Sequence, residues 1–105
     1  MRFSVDSSNA RRVRECGRCG RSDQVTIRYL PDTAFRYSPV VAKRQGNAPG
    51  RNRVKRIVRE VMRAGEGSFP NGFYLVTWHG PCARMNRSEL TGSIRAIIET
   101  IVTGT

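Results

Sequence analysis

Between residues 51 and 63 the chain reads Arg-Asn-Arg-Val-Lys-Arg-Ile-Val-Arg-Glu-Val-Met-Arg, and no other stretch limits the fold as strongly. Val54, Ile57, Val58, Val61 and Met62 recur at i, i+3, i+4, i+7 and i+8, the spacing of a helix with one apolar stripe. Such a helix must pack its stripe on another element. Its other side is cationic: Lys55, Arg56, Arg59 and Arg63 cluster there with Asn52, while Arg51 and Arg53 stand at the borders. Glu60 is the only acid in the stretch. A helix that merely faces water intersperses Glu with Lys at i,i+4 spacing, whereas these six cations repel one another unless a polyanion neutralises them. A solvated charged face is the plainer alternative, but blocks of like charge point more often to nucleic acid.

The rest of the composition agrees. A formal net charge of +11 on 105 residues exceeds what solubility requires, and most of it is Arg, whose planar fork suits phosphate. With 38% hydrophobic residues the chain can fill one modest core, so a single domain over residues 1–105 is expected. No run of apolar residues is long enough for a membrane span, and the first ten residues lack the apolar segment of a secretory signal. A cytoplasmic protein with no membrane partner is expected. Three cysteines in a reducing compartment argue against a disulfide framework, leaving the thiols free, buried or metal-bound.

Ser7 or Ser8 can cap a short helix over residues 9–16, whose apolar face is little more than Ala10 and Val13. Residues 24–30 alternate as a strand, and Pro31-Asp32-Thr33 turns the chain into a partner strand over residues 35–44. Pro39 places that partner at an edge or a bulge. Gln45-Gly46-Asn47 breaks it, Asn47 is a good N-cap and Pro49 suits a first turn, so the basic helix is predicted over 48–63, ending near Gly65. Residues 65–72 form a Gly/Pro/Ser loop. Residues 73–78 are continuously apolar and β-favouring, the mark of a central strand buried on both faces. Asn86 and Glu89 then form a capping-box pattern before a stripe of Leu90, Ile94, Ile97, Ile98, Ile101 and Val102. The order is α, β, β, α, β, α, with room for one further strand, and the fold class is α+β with helices on one face of a sheet.

Cys16-Gly17-Arg18-Cys19-Gly20 and His79-Gly80-Pro81-Cys82 contain every cysteine and the only histidine. Two ligand-type pairs at these spacings resemble halves of a tetrahedral structural zinc site, with Cys16, Cys19, His79 and Cys82 as ligands. The simpler alternative is free thiols with His79 in a surface loop. A redox role for the Cys-x-x-Cys pair lacks a thioredoxin-like context. Paired carboxylates in a motif, a nucleophile elbow and a phosphate-cradling Gly-rich loop are all missing, so no catalytic residue is expected.

The segment from Lys43 to Glu60, Lys-Arg-Gln-Gly-Asn-Ala-Pro-Gly-Arg-Asn-Arg-Val-Lys-Arg-Ile-Val-Arg-Glu, resembles the signature of the bacterial ribonuclease P protein subunit. The Gly-Asn-Ala lead-in, the Arg-Asn-Arg triplet, Lys55-Arg56 and the Arg59-Glu60 ending coincide in one stretch, and length and basicity agree. The resemblance implies an α/β sandwich like the second domain of ribosomal protein S5. Its small, mainly antiparallel sheet carries packed helices and a left-handed β-α-β crossover through the basic helix, against the general right-handed expectation. It implies a non-catalytic subunit of an endoribonuclease that removes the 5′ leader of precursor tRNA, the chemistry and its magnesium ions belonging to the ribonuclease P RNA. The implied partners are that RNA and precursor tRNA, with no DNA.

Carried over onto this sequence, the signature assigns RNA contact to Lys43, Arg44, Arg51, Asn52, Arg53, Lys55, Arg56 and Arg59, mainly to phosphates. The family's leader cleft, lined by aromatics, corresponds here to Val13, Arg14, Arg28 and Tyr29, an electrostatic rather than aromatic set in which Arg can still stack on a base. Ala10 replaces one expected aromatic, and Trp78 stands where relatives often carry Arg. The cysteine and histidine pairs are outside the family pattern. Two rival readings are a small zinc-binding RNA-binding protein associated with the ribosome, and a helix that reads a DNA major groove; neither accounts for the Gly-Asn-Ala lead-in.

Overall fold

A computed structural model describes residues 18–22 and 24–103, and the helix expected over 9–16 lies outside these residues. Four strands, β1 (Arg18–Arg21), β2 (Val25–Pro31), β3 (Phe35–Val41) and β4 (Gly72–Trp78), form one sheet in the order β1-β2-β4-β3. Two helices, α1 (Ala48–Ala64) and α2 (Arg87–Thr103), pack on one face of it. Single 3-10 turns, Lys43–Gln45 and Cys82–Arg84, lead into the two helices.

The alternation in β2 sends Val25, Ile27 and Tyr29 toward the helices, where Phe35, Tyr37 and Val41 of β3 and Tyr74, Val76 and Trp78 of β4 join them. The stripe of α1 closes on this layer: Val54, Ile57, Val58, Val61 and Met62 are all buried. Burial of each such side chain contributes about 1.5–3 kcal/mol, which outweighs the weak propensity of four β-branched residues in one helix. Leu90, Ile94, Ile97, Ile98 and Ile101 of α2 complete the core. The opposite face of β4 is buried too, with Phe73 and Leu75 packed against Leu30 and Val40, as the unbroken apolar run over 73–78 requires.

Two expectations need correction. The strands β2 and β3 are not partners: β4 lies between them, antiparallel to β2 and parallel to β3. Two strands joined by a short turn need not pair when a more apolar third strand can bury both of its faces by inserting between them. The partner strand also ends at Val41, so Lys43 and Arg44 belong to a 3-10 turn rather than to a strand. The further strand is β1, antiparallel to β2, whose Gly20 lies so close to α2 that an added Cβ would sit 2.6 Å from methyls of Ile97 and Ile101. Pro39 is on an edge strand as expected, and β3, α1 and β4 make a β-α-β crossover between parallel neighbours.

Both helix starts follow their caps. Asn47 Oδ1 accepts the Gly50 N–H at 2.8 Å, and Asn86 Oδ1 accepts the Glu89 N–H at 3.1 Å. The end of α1 depends on Gly65, where a Cβ would meet the Phe69 ring at 2.1 Å. The following loop is tied to the sheet by two buried tyrosines: Tyr74 donates to the Pro70 carbonyl at 2.6 Å and Tyr29 to that of Asn71 at 3.0 Å.

Candidate nucleic-acid interface

The side of α1 turned away from the core carries the charge. Asn52, Arg53, Arg56, Arg59 and Arg63 are exposed, and Arg51 and Lys55 are half-buried along its borders. The single acid is withdrawn from this face: Glu60 pairs with Arg87 of α2 at 3.1 Å. Among the described residues Arg53, Lys55, Arg56, Arg59 and Arg63 have no acidic partner. Lys43 and Arg44, exposed on the 3-10 turn just before the N-cap, extend the basic surface past the start of the helix. All eight residues of the expected RNA-contacting set thus fall on one turn and the helix that follows it.

A second basic surface lies on the sheet face away from the helices. Strand pairing aligns Arg21 with Thr26 and Thr77, and Cys19 with Arg28 and Leu75. Together with Val40 and His79 these residues line an open cleft of about 530 Å³. Arg36 belongs to the same face and stands over the Phe73 ring, 5.4 Å from its centroid. Guanidinium groups beside an apolar floor and hydroxyls are what a single-stranded nucleic acid needs for phosphate pairing and base stacking.

Of the expected leader-cleft residues, Arg28 lies in this cleft, whereas Val13 and Arg14 are outside the described residues. Tyr29 is corrected to a core position. Successive strand residues point to opposite faces, so Arg28 and Tyr29 cannot share one. Tyr29 is 4% exposed and stacks on Tyr74 with ring centroids 4.8 Å apart. Arg21, Thr26, Thr77 and His79 were not singled out as cleft residues from sequence. Alternation of Thr26 and Arg28 against the core residues of β2 was the available signal, but their neighbours on β1 and β4 depended on a register that sequence did not show.

Of the four residues expected to hold zinc, the three that are described do not come together. Cys19 is exposed on the cleft side of β1, and His79 Nε2 lies 2.8 Å from Thr26 Oγ1 on that same face. Cys82 is instead 5% exposed in the core beneath the helices, where its Cβ and Sγ abut Gly46 and Gly50 at the start of α1. Cys16 lies outside the described residues, and among those described no three metal-ligating side chains gather. The spacing of the two pairs is compatible with zinc, but the sheet stands between Cys82 and the face that holds Cys19 and His79. Trp78 is likewise buried in the core rather than placed at a surface.

A mixed sheet backing two helices, with one cationic surface on a helix and another across the sheet, defines a small, strongly basic α+β protein. The family model described as Ribonuclease P matches residues 6–102, and the chain belongs to the ribonuclease P protein family. It is 38% identical over 68 residues to the ribonuclease P protein component of Coprothermobacter proteolyticus, a match covering 65% of this chain and 57% of the relative. The chain thus spans little more than half the length of that curated relative. Its fold is that of the RNase P protein of Staphylococcus aureus, with a TM-score of 0.84 at 19% identity over 94% of both chains. The Thermotoga maritima RNase P protein gives a TM-score of 0.82 at 19% identity, over 96% of this chain and 97% of that one. No helix among the described residues is long and apolar enough to cross a membrane.

Proposed function

We propose that this chain is the protein subunit of a ribonucleoprotein ribonuclease P, assisting an RNA subunit in removing the 5′ leader of precursor tRNA in the cytoplasm. The observation that carries this reading is the unpaired cationic face of α1, which holds the family signature and whose only acid is turned aside to Arg87. Arg51, Arg53, Lys55, Arg56 and Arg59 would neutralise phosphates of the RNA subunit, with Lys43 and Arg44 continuing the contact. Asn52 adds a neutral donor and acceptor between them. Contacts of this kind position the protein on folded RNA without reading its sequence.

The sheet cleft is suited to the leader. Arg21 and Arg28 supply the charge, Leu75 and Val40 an apolar floor, and Thr26 and Thr77 hydroxyls for phosphate or 2′-hydroxyl groups. With the two surfaces on either side of the sheet, one protein can hold the RNA subunit and the substrate leader together. Neutralising phosphates near the reacting centre also lowers the magnesium needed by the RNA, which would supply the chemistry.

Precursor tRNA cleavage by the cognate ribonuclease P RNA at low magnesium, with and without this protein, tests the reading. Stimulation is expected, and Arg51→Ala/Arg53→Ala/Arg56→Ala should abolish most of it while leaving the fold intact. Tight general RNA binding without stimulation would overturn the assignment.

A further inference from the structure

Beside the start of α2, on the helix side of the sheet and apart from the sheet cleft, the fold leaves an open cavity of about 600 Å³. Trp78, Val25 and Leu90 give it an apolar wall, and Gln24, Glu89 and Ser93 give it polar groups. Trp78 is 4% exposed, yet its indole Nε1–H is buried with no hydrogen-bond partner. A buried donor left in that state destabilises the fold until something pairs with it. The edge of the indole that carries Nε1 also carries Cζ2, and Cζ2 borders the space above Gly80, 3.2 Å from where a Cβ would stand. The Gln24 amide nitrogen borders the same space at 2.8 Å, so on this edge the indole meets the end of a flexible side chain that itself lines the cavity. Neither the Gln24 amide nor the Glu89 carboxylate has a partner among the described residues.

We propose that this cavity takes an unstacked guanine base of bound RNA. The donor set argues against a phosphate: no Lys or Arg is among the described residues that line the cavity, and Glu89, in the first turn of α2, already sets a negative charge at the positive end of that helix. A carboxylate near an unpaired N–H suits instead a flat, neutral group that donates on one side and accepts on the other. Guanine is such a group: its O6 accepts from Trp78 Nε1–H, and its adjacent N1–H and N2–H donate to the two oxygens of Glu89. Adenine has an acceptor at N1 where the carboxylate needs a donor, and a pyrimidine offers it only one donor group. Gln24 swings off the indole edge to admit the base, and Val25 and Leu90 supply the apolar contact. Trp78 is paired with Val41, the last residue of β3, from which the chain runs to Lys43, Arg44 and the start of α1. A strand whose phosphates are held by that basic surface can therefore turn one base into the cavity. This inference rests on α1 and the turn before it binding RNA.

Trp78 is the only tryptophan, so its emission reports on the cavity directly. The test titrates the full chain with short oligouridines that carry one central guanosine, inosine or adenosine, and separately with free guanosine. The guanosine oligomer should change the emission and bind roughly 5- to 100-fold more tightly than the adenosine one, the discrimination of one bidentate base contact. The inosine oligomer, which lacks the N2 amino group, should fall between them. Glu89→Gln and Gly92→Leu should each bring the guanosine oligomer down to the adenosine value while leaving the adenosine value unchanged. Glu89 is exposed, and a Cβ on Gly92, in the cavity wall, would meet nothing within 4 Å, so neither change disturbs the core and urea unfolding midpoints should not fall. If the three oligomers bind equally and leave the emission unaltered, the cavity proposal is overturned and RNA binding stands. A response to free guanosine without discrimination among the oligomers also overturns it, because the cavity would then belong to a free nucleoside. If no oligomer binds, the RNA-binding reading falls together with it.

Discussion

Tyr74 is fully buried in the centre of the sheet, its ring packed between Tyr29 and Phe35 and its hydroxyl held by the Pro70 carbonyl. Burial, and then the neighbouring Tyr29, raise its pKa well above the ordinary tyrosine value, and burial also raises that of Tyr29. The folded state therefore keeps these protons after the unfolded chain has begun to release them. Stability associated with the two phenols is fully present below about pH 10 and declines as pH rises further. Since most of the positive charge is Arg, which does not titrate there, the alkaline limb of a stability curve should report mainly on these tyrosines. Thermal melts between pH 8 and 11.5 should show a fall above pH 10 that is shallower in Tyr74→Phe, although that variant loses a hydrogen bond and starts from a lower Tm. These two phenols differ from Arg28, one position before Tyr29 in sequence, only through strand parity. That parity is legible in the alternation of β2, whereas a family position carried over without it puts Tyr29 on the wrong face.

The helix α1 is the element whose boundaries sequence predicted best, because its signals are local: Asn47 caps it, Pro49 opens it and Gly65 makes room for Phe69 at its end. Replacing Asn47 by Ala should lower stability by about 1 kcal/mol, whereas Asn47→Asp should retain the cap, as read from urea unfolding midpoints. The Ala variant should still bind RNA when folded, since its cationic residues are untouched. Sheet order was much less legible than helix ends. Nothing local in residues 25–41 reveals that β4 separates β2 from β3; that outcome follows from which strand is apolar on both faces, a property of 73–78 that bears on pairing only once all the strands are compared. The separation of Cys82 from Cys19 and His79 was hidden for a similar reason. Spacing in sequence tells how far apart two side chains are along the chain, and only the fold tells that Cys82 faces the core while Cys19 and His79 face the cleft.

Across the whole molecule, a net charge of +11 is compressed into a body with principal extents of 34 × 26 × 25 Å. Self-repulsion on this scale destabilises the free protein and is relieved by counterions. Sulfate or phosphate should therefore raise Tm more than sodium chloride at equal ionic strength. The difference should shrink in the Arg51→Ala/Arg53→Ala/Arg56→Ala variant; calorimetry in the paired buffers checks this, and an equal rise in both salts would show that the anions act on no particular surface. The β-α-β crossover has one more consequence. Because the chain leaves β3 through α1 and returns as the strand beside it, the basic helix is clamped at both ends to neighbouring rows of one sheet and carries its charge on a preformed support. Association with RNA then needs no folding step of that helix, so the on-rate should be governed by encounter and electrostatic steering, and the lifetime of the complex by how many phosphates the rigid array engages at once.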